Sequence, residues 1–191
     1  MKTRTLASLS ILVFYVLITI VMPWSQGQSD DSDKSRPSGK VIFEIGKEDK
    51  RDWEFRRIGF GGQSEYNCRV GDDCTTEDFP QYLLLAPYGE NPIYGVDRIT
   101  ISFTLDQKYE KVVLRLARGG DETTVVEVDG KRKKHLVTNT MLGSGEGYQV
   151  GVYNLELGKL KKGTHTIELS LADDGKGNAG YSWDALSLFA N

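Results

Sequence analysis

Ile99-Thr100-Ile101-Ser102-Phe103-Thr104-Leu105 is the stretch that decides the fold class. Large apolar side chains occupy every second position, and the residues between them carry hydroxyls. A period of two sends the two sets to opposite faces of an extended chain, which describes a half-buried strand. An amphipathic helix would instead need apolar residues at i, i+3 and i+4. Outward from this stretch, residues 164–171 alternate in the same way, reading T-H-T-I-E-L-S-L. Residues 41–45, 53–55, 112–117, 124–128, 150–155 and 181–189 are rich in β-branched and aromatic side chains, and Leu136-Val137 opens a further return strand. Asp129-Gly130 is the dipeptide favoured in tight primed hairpin turns. No window sustains a helical period. About nine strands with no helices between them predict an all-β fold, an antiparallel β-sandwich of the jelly-roll type.

The N-terminus has a different character. Lys2 and Arg4 precede an apolar run from Leu6 to Met22, and Pro23, Ser25 and Gly27 follow as at a signal-peptidase site. Residues 1–27 therefore read as a signal peptide, the alternative being an uncleaved N-terminal anchor. Residues 28–40, QSDDSDKSRPSGK, hold no large apolar side chain and cannot offset the entropy of ordering, so they are expected to form a disordered polar linker. Residues 41–191 make one sandwich domain, long enough for one well-buried core. The expected location is secreted, extracellular or periplasmic, with no membrane span once the leader is removed.

The leader carries two of the 24 basic residues and none of the 27 acidic ones, so its removal takes the formal charge from −3 to −5. Such a chain has no global field favouring nucleic acid or anionic lipid. The one basic run, Lys131-Arg132-Lys133-Lys134, reads first as a solvated hairpin. Cys68 and Cys74 are the two cysteines. In an exported chain they are expected to form a disulfide across a short loop, since a zinc site would need further Cys or His partners. Between the strands lie loops rich in Gly, Asp and Asn at 61–62, 119–121, 143–147 and 173–178. Gly145-Glu146-Gly147-Tyr148 is not a phosphate loop, because it lacks the Lys-Ser/Thr pair and a following helix.

The order of several short motifs carries a resemblance. Phe43-Glu44-Ile45-Gly46-Lys47-Glu48-Asp49 is followed by Trp53-Glu54-Phe55, then Tyr66-Asn67-Cys68-Arg69-Val70-Gly71-Asp72-Asp73 and Glu77-Asp78-Phe79-Pro80-Gln81. The chain closes on Trp183-Asp184-Ala185-Leu186-Ser187-Leu188. Across residues 41–190 this resembles the C-terminal carbohydrate-binding-like jelly roll of the rhamnogalacturonan lyases, polysaccharide lyase family four, within the galactose-binding-like superfamily. No stretch of residues 1–191 resembles the lyase catalytic domain or the small middle domain, and the cysteine pair is an insertion relative to the family pattern. The resemblance implies a sugar-binding scaffold without naming the sugar.

Sugar binding needs aromatic rings to stack on pyranose CH faces and planar polar groups to meet hydroxyls. Tyr88, Tyr94, Tyr148 and Tyr181, in or beside polar loops, are the candidate stacking residues, with Glu146 and Asn178 as hydroxyl partners. Trp53, Phe43, Phe103 and Phe189 lie in apolar alternation and are assigned to the core. Asp184 interrupts an apolar terminal strand. With Glu44 or Asp49 on the first strand it is a candidate ligand for a structural calcium, which takes hard oxygen donors, although no cofactor is required. His165, among threonines, is expected on the solvent face, and neither it nor His135 has an evident catalytic partner. The expectation is a secreted, non-catalytic carbohydrate-binding module or lectin-like protein, its ligand a plant or algal polysaccharide and its further partner a cell surface or an enzyme. The alternatives are an extracellular structural or adhesion protein, and a lyase or glycosidase fragment.

Overall fold

The computed structural model describes residues 36–49, 53–56, 65–84, 95–119, 123–136, 151–172 and 180–191; for 133–136 and 181 it describes the backbone only. The expected leader lies outside these residues. Ten strands are found among them: β1 Lys40–Gly46, β2 Glu65–Arg69, β3 Tyr82–Leu84, β4 Arg98–Leu105, β5 Tyr109–Arg118, β6 Thr124–Val128, β7 Lys131–Leu136, β8 Gly151–Leu160, β9 Gly163–Leu171 and β10 Gly180–Ala190. No described helix is long and apolar enough to cross a membrane.

The strands form two sheets. The first runs β1-β10-β5-β8, with β3 added to the start of β10; the second runs β2-β4-β9-β6-β7. All pairings between these strands are antiparallel except β2 with β4, which is parallel. The β-sandwich expected from alternation is what forms. Ile99, Ile101, Phe103 and Leu105 of β4 and Ile167, Leu169 and Leu171 of β9 face inward and are buried. They meet Leu114, Leu116, Leu155, Leu186 and Leu188 from the facing sheet in one core. Each such side chain contributes about 1.5–3 kcal/mol on leaving water.

Four local expectations are corrected. Residues 53–55 form a turn, not a strand, and Trp53 is 75% exposed, while Phe55 beside it fills the core position. The return strand begins at Lys131, immediately after the turn at Asp129 (φ 51°) and Gly130 (φ 71°). Strands β2 and β3 were not expected. His165 does not face solvent: it stands opposite Phe103, their ring centroids 5.8 Å apart, with its side chain only 11% exposed. Phe43 and Phe103 are core residues as expected; Phe189 is buried too, but on the outer face of the first sheet.

That outer face is itself largely covered. Val113, Arg115, Ala117, Ser187 and Phe189 point away from the core yet are at most 6% exposed. Arg36, within the expected polar linker, lies over the Phe189 ring at 5.2 Å and pairs with Glu44 at 2.8 Å. Asn191 Nδ2 donates to Ser38 O, so residues 36–40 are docked rather than free.

The connections divide the sandwich into two unlike ends. At one, β4 passes to β5 through residues 106–108, β6 to β7 through 129–130, and β8 to β9 through 161–162. At this turn end most acids are held: Lys40–Asp106 at 2.7 Å, Lys111–Glu156 at 3.4 Å, Glu110 by Lys108 and by Lys159 at 3.1 Å. At the opposite end, Arg118 pairs with Trp183 and Gly151, Thr124 with Leu136 and Leu171, and Gly180 with Leu84. The residues that bracket 85–94, 120–122, 137–150 and 173–179 therefore all sit at one end, as does the exit of β1 at Gly46.

Candidate functional site

The loop end is built on an aromatic cluster. Phe79, fully buried, has the rings of Phe55, Tyr66 and Trp183 around it at centroid distances of 5.9, 5.7 and 6.0 Å. Two hydrogen bonds, Arg56 N to Phe79 O at 3.0 Å and Gln81 N to Arg56 O at 2.8 Å, clamp residues 53–56 against this floor. The Tyr66 hydroxyl donates to Asp73 O at 3.0 Å, and burial, with Asp73 and Asp78 nearby, pushes its pKa up to about 12. Cys68, buried on β2, is bonded to Cys74, so the intervening segment is stapled to the same floor.

Above this floor an open cleft of about 470 Å³ separates the exit of β1 from the stapled loop. Ile45, Gly46, Lys47 and Glu54 line one side and Cys74, Thr75 and Thr76 the other, with Glu44 at the edge. Gly46 has φ of +81°, and a Cβ there would stand 2.5 Å from Asp184 O and 2.6 Å from Phe55 Cζ, so no other residue lets the chain turn here. The turn brings Glu54 Oε1 to accept from Lys47 N at 2.9 Å. One residue before Glu54, the Trp53 ring is presented to solvent.

A second contact anchors this segment. Glu48 takes both Arg115 Nε at 2.6 Å and Arg115 Nη2 at 2.9 Å, while Arg115 Nη1 donates to Asn154 Oδ1 at 3.0 Å. Arg115 is 5% exposed, and the Glu48 carboxylate meets two of its guanidinium nitrogens in a charge-assisted fork. The Arg115 hydrogen bonds hold the Glu48 carboxyl below its ordinary value against the opposing effect of burial, and the nearby Arg36 charge helps. The exit of β1 is thus fixed on both sides, at Gly46 by backbone packing and at Glu48 by the ion pair.

The cleft supplies hydroxyls at Thr75 and Thr76, a carboxylate at Glu54, an ammonium at Lys47 and an indole beside Glu54. These are groups that hydrogen-bond hydroxyls and stack on apolar ring faces. A second depression, of about 360 Å³, is lined by Asn67, Arg69, Asp73, Ser102 and Thr164 on the outer face of the second sheet and has no aromatic lining.

Of the residues singled out in the sequence, Tyr88, Tyr94, Tyr148, Glu146 and Asn178 lie outside the described residues. Tyr181 lies in β10 opposite Leu83. Glu44 is paired with Arg36, Asp49 lies in the turn after β1 with its N–H donating to Lys47 O, and Asp184 is 1% exposed at a register shift in β10. Among the described residues no three His, Cys, Asp or Glu side chains gather where they can hold a metal, so Glu44, Asp49 and Asp184 are not brought together. Sequence reading missed Trp53 and Glu48. The polar run Lys47 to Asp52 was the available signal, because it leaves Trp53 no apolar residue on its N-terminal side and only Phe55 to extend an alternation.

No family model and no curated protein matches the chain. Solved structures similar to it include a family 35 carbohydrate-binding module from an environmental isolate, with 17% identity over 72% of this chain and 92% of that one, TM-score 0.41. Another is a family 36 module of a multidomain xylanase from the hindgut metagenome of Trinervitermes trinervoides, with 15% identity over 57% and 95%, TM-score 0.36. A third is a cycloisomaltooligosaccharide glucanotransferase of a Paenibacillus species in complex with cycloisomaltoheptaose, at 19% identity and TM-score 0.36; the alignment takes in 56% of this chain and only 16% of the enzyme.

Proposed function

We propose that this chain is a non-catalytic carbohydrate-binding module whose ligand meets the loop end of the sandwich. The observation that carries the reading is Trp53. An indole 75% exposed stands one residue before Glu54 of the polar cleft, on a segment held by the Arg56 hydrogen bonds to Phe79 and Gln81 and by Lys47 N to Glu54. A rigid exposed ring loses little entropy on stacking against a sugar. Two further points support it. Tyr88, Tyr94, Tyr148, Glu146 and Asn178 belong to segments bracketed by residues of this same end. The carboxylates at the cleft are engaged, Glu44 by Arg36 and Glu54 by Lys47 N, which suits recognition better than acid–base chemistry.

The ligand class is a polysaccharide of plant or algal origin, and export through the N-terminal leader would place the protein where such polymers occur. A screen of soluble xylan, β-glucan, galactan and polygalacturonate, run with calcium and with a chelator, tests the reading and the calcium expectation together. Trp53→Ala is expected to weaken the best ligand roughly tenfold, from a stacking contribution of about 0.5–1.5 kcal/mol plus lost area. Trp53→Phe restores part of it. Unchanged affinity in a folded Trp53→Ala protein, or release of oligosaccharide products by the pure protein, would overturn the proposal.

A further inference from the structure

The basic run at 131–134 is not absorbed by a site at the loop end. Strand β7 starts at the turn end, with Lys131 and Arg132 exposed there. The turn after β8 brings Lys161 and Lys162, both exposed, to the same corner. His165 joins the two turns: its Nδ1 meets Asp129 Oδ2 at 2.8 Å and its Nε2 meets Lys161 O at 2.8 Å. The corner is rigid as well, because Asp129 N and Thr166 O, and Thr166 N and Asp129 Oδ1, are each 3.0 Å apart.

The acids nearby are already committed. Asp129 faces His165, Glu127 faces Arg132 at 3.8 Å, and Glu110 is shared by Lys108 and Lys159. Lys161 and Lys162 enter no ion pair among the described residues, and Lys131 adds to the charge near Asp129 without a bond to it. Strand β6 lies between β7 and β9, so Lys131 and Lys162 stand about two strand spacings apart, ~10 Å. A chain with formal charge −3 thus carries a fixed row of surplus positive charge on one corner.

We infer that this corner, formed by Lys131, Lys161 and Lys162, is a second contact surface, and that it takes an acidic polysaccharide. The inference rests on the polysaccharide reading and adds its charge class. A few surplus charges suit the carboxylates or sulfates of an extended polymer, one from each of several residues. Duplex DNA, with a phosphate charge about every 1.7 Å, needs a wider basic field than three lysines on an acidic protein supply. The contact is electrostatic and exposed, so it weakens as salt rises above physiological strength.

The test compares polygalacturonate, its fully methyl-esterified form, duplex DNA and vesicles containing phosphatidylserine. The mature chain, Lys161→Glu/Lys162→Glu and Lys131→Gln are titrated against each at low and high salt, with thermal melts confirming that each variant folds. Polygalacturonate is expected to bind more tightly than the esterified polymer, and the double charge reversal to weaken it about tenfold or more while leaving the esterified polymer unaffected. Lys131→Gln should act in the same direction, less strongly. Equal affinity for the two polymers, no effect of the reversal, or tighter binding of DNA or vesicles would each overturn the inference. Trp53→Ala separates the two claims. If it abolishes binding of the esterified polymer while charge reversal does nothing, the loop-end site stands and this one falls. If only charge reversal matters, the outcome is the opposite.

Discussion

Replacing Glu48 with Gln tests whether the cleft is held by the ion pair beneath it. The change keeps shape and one acceptor but removes the charge that meets the Arg115 fork. Arg115 is nearly buried, its side chain 6% exposed, whereas Glu48 keeps 26%. Breaking a fully buried pair costs about 3–5 kcal/mol, because it strands the remaining charge. Here water reaches the Glu48 side and Asn154 still accepts from Nη1, so the loss should fall to about 2–3 kcal/mol. For a domain of this size that is a fall in melting temperature of about 5–10 °C. Urea unfolding at pH 7 measures it directly. The pH dependence supplies an independent sign. The folded-state pKa of Glu48 lies below its unfolded value, so its contribution is complete above the ordinary carboxylate range, about 4.3, and fades as pH falls toward the folded value. The gap between wild type and Glu48→Gln should therefore be constant from pH 7 to about pH 5 and close below about pH 4. A loss under about 1 kcal/mol at pH 7, or a gap that widens in acid, refutes the assignment of Arg115 to Glu48.

Two further outcomes follow from other contacts. Reducing Cys68–Cys74, which are six residues apart, should cost about 2 kcal/mol from loop entropy and weaken ligand binding through the Thr75–Thr76 wall; an unchanged urea midpoint would sink this. Burial alone would lower the His165 pKa, but Asp129 and Lys161 O outweigh it, so its imidazole should titrate above the ordinary value in wild type and return toward it in Asp129→Asn. This contribution is complete below about pH 6.5 and lost as pH rises through the folded value; an NMR titration midpoint at or below about 6.5 in wild type contradicts it.

The fold was legible where alternation is long and strict. β4 and β9 each hold a period of two for seven or more residues, and their apolar sets are the core. Parity also contained the answer for His165, which shares its phase with Ile167, Leu169 and Leu171; grouping it with the flanking threonines hid this. β2 escaped notice because Tyr66 and Cys68 are its only inward residues and its partner lies parallel, far along the chain. β3 has three residues, too few for any period. Residues 53–55 alternate well, yet three residues do not outweigh a preceding turn fixed by Gly46 and Glu48. That the residues bracketing 85–94, 120–122, 137–150 and 173–179 lie at one end was not readable, because it depends on which distant strands pair, and pairing is decided by packing across the whole chain.

The separation of ends has an energetic reason. Turns of two and three residues at 129–130, 161–162 and 106–108 close the strand pairs at small entropic cost and leave that end no room to vary. Lengthening a connection costs only about 0.6 kcal/mol per doubling, so long segments at the other end are cheap once the turn end has set the register. The aromatic floor at Phe79 and the staple at Cys68 then provide rigidity where the connections are long. Charge follows the same division. At the loop-end cleft the acids Glu44 and Glu54 are balanced by Arg36 and Lys47, while the turn end holds surplus lysines. A polymer with both neutral and acidic stretches would therefore meet Trp53 with the first and Lys161 with the second, and its affinity would rise by linkage of two weak contacts rather than by either alone.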